Sequence, residues 1–82
     1  MPLFIGVHDM GQYITDEQMK DNWAKYLDAC EKHGAKGHKV YYNGNLGRAY
    51  CVTEAPSADD VTAAHDDVGV PLKDIIQVEK LK

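Results

Sequence analysis

The sequence has 82 residues and a mass of 9.1 kDa, which predicts a single domain at the small end of the natural range, spanning residues 1–82. Hydrophobic residues make up 44% and charged residues 27%, which excludes a disordered chain, since that needs low hydrophobicity with high net charge. Nine basic against thirteen acidic residues leave a formal charge of −4 and a pI near 5.4, so the surface repels phosphate backbones and anionic membranes and nucleic acid is not an expected partner.

In chain order, residues 1–8 have no basic segment ahead of a short apolar run that ends at His8-Asp9. That predicts neither a signal peptide nor a membrane span, and hence a cytoplasmic protein. Residues 3–8 are apolar and β-rich without a helical stripe, and read as a strand. Leu3, Ile5 and Val7 share one face, and Phe4, Gly6 and His8 the other. The uninterrupted aliphatic set is expected to face the helices, leaving Phe4 and His8 on the uncovered side with a hollow at Gly6. After a loop through Gly11, Thr15 is an N-cap with Gln18 as capping-box partner, and Ile14 and Met19 take the hydrophobic-staple positions. Met19, Trp23, Tyr26, Leu27 and Cys30 form one apolar stripe, and Gly34 ends the helix.

Residues 39–42 and 48–53 are β-rich runs around Asn43-Gly44-Asn45-Leu46-Gly47, a hairpin signal. Pro56 ends the second of these strands. Ser57 with Asp60 caps a second, short helix, whose stripe Val61, Ala64, His65, Val68 closes at Gly69 before Pro71. Residues 75–78 are the last strand. The order β-α-β-β-α-β predicts a ferredoxin-like α+β sandwich, an antiparallel sheet with both helices on one face. Its open face carries apolar and aromatic groups, whichever of the pairs Tyr50/Val52 or Ala49/Cys51 lies there. The expected remedy is a homodimer, closing a dimeric α+β barrel.

Among the chemical groups, the four histidines suggest a metal, because neutral imidazole suits Ni, Zn, Cu and Fe. No helical chelate exists, since His65 has Val61 and Gly69 four residues to either side, so a site has to be assembled across elements or across a dimer. His8, at a strand end beside Asp9, is the strongest candidate. The ordinary reading of His33 is a solvated helix end, of His38 a polar residue leading into a strand, and of His65 a hydrogen-bonded core histidine. Cys51 is a soft ligand or, more ordinarily, a small buried hydrophobe; Cys30 is core. With no Cys-x-x-Cys spacing, both thiols are expected to be reduced. Ser57, the only serine, is needed as a cap, which argues against serine catalysis. Asp16, Glu17, Asp59 and Asp60 suit the first turns of helices. The element order is shared with RNA-recognition motifs, but residues 48–54 lack the glycine and the second aromatic that base stacking needs.

Phe4 with Val7-His8, Tyr50-Cys51, Glu54-Ala55-Pro56-Ser57, and the run from His65 through Gly69 to Pro71 together resemble a group of small bacterial nickel-binding, ferredoxin-like proteins, formerly a domain of unknown function. The resemblance spans nearly the whole chain. It implies a homodimer that binds a divalent metal, nickel foremost, for handling or sequestration rather than catalysis. The shared positions that carry over are His8, Cys51 and His65; His38 is a further candidate from residue type alone. The alternatives are a small cavity-based enzyme of the dimeric α+β barrel type, an oxygenase or isomerase, and a module that binds a partner through the open sheet face.

Overall fold

A computed structural model describes residues 1–81. The elements are β1 (Leu3–Asp9), α1 (Asp16–Lys32), β2 (Lys36–Asn43), β3 (Arg48–Glu54), α2 (Ala58–Asp67) and β4 (Asp74–Val78). The four strands form one sheet in the order β2-β3-β1-β4, with every neighbouring pair antiparallel. This is the ferredoxin-like α+β arrangement that the element order predicts. No helix among the described residues is long and apolar enough to cross a membrane.

Local chemistry sets the boundaries. Thr15 Oγ1 accepts from the Gln18 amide at 3.1 Å and the Gln18 side chain accepts from the Thr15 amide at 2.9 Å, a complete capping box. Ser57 caps α2 by accepting from the Asp60 amide. Both helices end in the same motif. The Ala35 and Val70 amides reach back to the Cys30 and His65 carbonyls, with Gly34 at φ 68° and Gly69 at φ 69°. Only glycine adopts that backbone without strain. β2 starts earlier than its β-rich core suggests, at Lys36, because Gly37 lies against Trp23 and Leu27 of α1, and a register shift between Gly37 and Lys39 absorbs His38.

The core lies between the sheet and the helices. It joins Phe4 of β1, Tyr26, Ala29 and Cys30 of α1, Cys51 of β3, and Val61 and Ala64 of α2. Burial along β1 alternates so that Phe4, Gly6 and His8 are the buried set, while Leu3, Ile5 and Val7 are half-buried. This reverses the expected assignment of faces: the imidazole of His8 is beneath the helices, 4% exposed, and not on the uncovered side. The cause is space. The helix-facing set of β1 and β3 includes the small residues Gly6, Ala49, Cys51 and Thr53, which leave room for the rings of Tyr26 and His65 arriving from α1 and α2. The aliphatic set instead joins its cross-strand partners on the open face. Val7 pairs with Tyr50, Ile5 with Val52 and Ile76, and Tyr50 with Tyr41.

Candidate metal centre

Three residues that are distant in the sequence meet under the helices. Gly6 is the cross-strand partner of Cys51, and having no side chain it lets the thiol lie over β1. His8, two residues along the same face, brings Nε2 to 3.5 Å from Cys51 Sγ. From above, α2 lowers His65, whose Nε2 is 3.4 Å from the same sulfur. All three are buried, and their ligand atoms lie within 4.8 Å of one another.

The backbone fixes both imidazole tautomers. His8 Nδ1 donates to the Pro71 carbonyl at 2.9 Å, and His65 Nδ1 donates to the Val61 carbonyl at 2.7 Å. Each neutral ring therefore presents an unprotonated Nε2 to Cys51. Two lone pairs converge on a thiol that has one proton to give, so one of the two contacts is always without a hydrogen. Burial lowers the pKa of both imidazoles, that of His65 to about 4, which keeps the rings neutral, and burial raises that of the Cys51 thiol.

Aromatic rings enclose the group. The Tyr26 and His65 ring centroids are 4.3 Å apart, and those of His8 and His65 4.8 Å. The Tyr26 hydroxyl is bound to Thr53 Oγ1 at 2.6 Å in the core, and burial raises its pKa, so it remains a protonated structural group. On one side the three donors face a small cavity of about 40 Å3, walled mainly by Met10, Met19, Trp23, Val40, Val68 and Val70.

His38, the fourth candidate, is not part of this group. Its Nε2 is 2.7 Å from Glu54 Oε1 at the surface, because the register shift at Gly37 and Lys39 turns it away from the helix-covered face. His33 likewise pairs with Asp67 at 2.7 Å and ties the end of α1 to the end of α2. Residue type alone did not single out Tyr26, Thr53 or the two methionines as neighbours of the site. The one sequence signal for the close approach is Gly6, a glycine inside an otherwise well-formed strand.

A ferredoxin-like sandwich with a buried His-Cys-His group between its sheet and its helices is a small α+β domain with a candidate metal centre. The family model described as nickel responsive protein SCO4226-like matches residues 4–78, and the chain belongs to that family. Among solved structures, SCO4226 from Streptomyces coelicolor A3(2) superposes with a TM-score of 0.90 at 24% identity, over 98% of this chain and 99% of that one, a likeness that establishes the fold. No curated protein matches the chain.

Proposed function

We propose that the protein binds a divalent transition metal, nickel, through His8 Nε2, Cys51 Sγ and His65 Nε2, and serves metal handling or sequestration as a homodimer. The observation that carries this reading is the pair of imidazole lone pairs aimed at one thiol, each ring held in its tautomer by a backbone carbonyl. Metal-ligating histidines are oriented by this kind of outer contact. With metal–nitrogen and metal–sulfur bonds of about 2.0 and 2.3 Å, tetrahedral coordination puts nitrogen and sulfur roughly 3.5 Å apart. The two N–S separations of 3.5 and 3.4 Å already have that length. The family's description as nickel responsive favours nickel among the metals that suit imidazole. The proposed homodimer uses the open face, where Tyr50, Ile76 and Tyr41 are 40%, 48% and 59% exposed.

Calorimetric titration of tag-free protein with Ni²⁺, Zn²⁺ and Cu²⁺ tests the assignment. One ion per protomer is expected, with affinity reduced tenfold or more in Cys51→Ser and His65→Ala variants that keep the native circular dichroism spectrum. No uptake by the wild-type protein overturns it. Sedimentation of wild type against Tyr50→Glu tests the dimer separately.

A further inference from the structure

The three donors are one short of the four that close a structural site, and among the described residues no further His, Cys, Asp or Glu joins the group. What bounds the remaining side is unequal. Toward β1, the Gly6 backbone is packed so closely that a Cβ there would be 2.7 Å from Cys51 Sγ, and no ligand fits. On the cavity side His8, Cys51 and His65 are all part of the wall of the same space of about 40 Å3. A water-sized group needs about 10–15 Å3 by this measure, so the space is sized for two or three non-hydrogen atoms and not for the five of a tetrahedral oxyanion. The cavity has a way in. Met10, Asn22, Val68 and Val70, all half-buried, line both the cavity and the surface groove beyond it, between α1 and the connection from α2 to β4.

Charge narrows the class. A divalent ion held by one thiolate and two neutral imidazoles keeps one net positive charge, and among the described residues no carboxylate lines the cavity to offset it. An uncompensated charge buried among apolar groups is costly, so a single monoanion is the ligand that neutralises the centre.

Resting on the metal reading above, we propose that the cavity is a binding site for a monoanion of two or three atoms, of the pseudohalide class, which enters past Val68 and Val70 and takes the coordination position that the protein leaves open. Ligation is a lone-pair donation from the anion with no redox change.

Protein loaded with Ni²⁺, and separately with Co²⁺, is titrated with sodium azide and followed by visible absorption, with sodium phosphate as the oversized anion. A saturable spectral shift with azide and none with phosphate is expected, and Val70→Phe, which fills the mouth from a half-buried loop position, should weaken azide binding at least tenfold. Metal uptake with a spectrum that azide leaves unchanged overturns the anion site and leaves the metal reading standing. Failure of the wild-type protein to take up either metal overturns both. An undiminished azide response in Val70→Phe, or a phosphate response equal to that of azide, overturns the cavity as the binding site.

Discussion

Acidifying the metal-free protein should destabilise it well above the pH at which carboxylates titrate. His65 has an ordinary pKa of 6.5 when unfolded and about 4 when folded, because burial disfavours its charged form. Between those values the unfolded chain holds a proton that the folded chain lacks, so stability is fully present above pH 6.5 and falls as the pH drops toward 4. At about 1.4 kcal/mol per pKa unit, His65 alone removes about 3 kcal/mol over that window. His8 is lowered for the same first reason and acts in the same direction. A domain of this size has roughly 4–12 kcal/mol in total, so the loss is a large share of it. Urea unfolding followed by the fluorescence of Trp23, the only tryptophan, reads this directly. With a slope of about 1 kcal/mol per molar urea, the midpoint should fall by roughly 2 M or more between pH 7 and pH 4.5. In His65→Gln the dependence should lose about 1.4 kcal/mol per pH unit within the window. A wild-type midpoint that stays level from pH 6.5 to 5, or a variant with the same slope as wild type, refutes the claim that these rings are buried neutral.

Gly6→Ala forces a Cβ to 2.7 Å from Cys51 Sγ and 2.9 Å from Leu72 Cδ2, so it should cost about 1–3 kcal/mol and lower the melting temperature by roughly 5–20 °C. Calorimetry on the same variant should show weaker nickel binding, since the sulfur has to move. Thr53→Val removes the partner of the Tyr26 hydroxyl at a position with 0% exposure, at a cost of about 1–3 kcal/mol that Tyr26→Phe in the same chain should largely relieve; a double-mutant cycle with no coupling counts against the pair. His38→Ala should leave nickel stoichiometry and affinity unchanged and shift stability by less than about 1 kcal/mol, because its contact with Glu54 is at the surface; a tenfold loss of nickel affinity returns His38 to the site.

The element order was legible because each boundary is set by a local device. The Thr15–Gln18 box, the Ser57 cap and the left-handed glycines Gly34 and Gly69 act within a few residues and are visible as spacing. The orientation of β1 was not legible, because nothing local decides it. Both of its faces are apolar, so alternation says which residues travel together and not which set the helices cover. Aliphatic continuity pointed to Leu3, Ile5 and Val7. The outcome was settled by volume, in that Tyr26 and His65 need the low ground over Gly6, Ala49 and Cys51, a three-element fit that no single strand records.

The same geometry explains why the histidines looked like a poor metal set. A chelate readable from sequence places its ligands a helical turn apart, whereas His8 and Cys51 are 43 residues apart and Cys51 and His65 14. They meet because β1 and β3 are adjacent central strands and α2 crosses above them. The reversal of β1 is what makes the meeting possible. On the open face His8 would point away from α2, and no protomer on its own would bring it to His65. Beneath the helices its ring is within hydrogen-bond reach of Cys51, and the connection after α2 supplies the Pro71 carbonyl that fixes its tautomer. A site built in this way needs no second subunit to supply a ligand. Nickel stoichiometry should therefore remain one per chain in a Tyr50→Glu variant driven to monomer, and a stoichiometry that falls with dissociation would place a ligand across the subunit boundary instead.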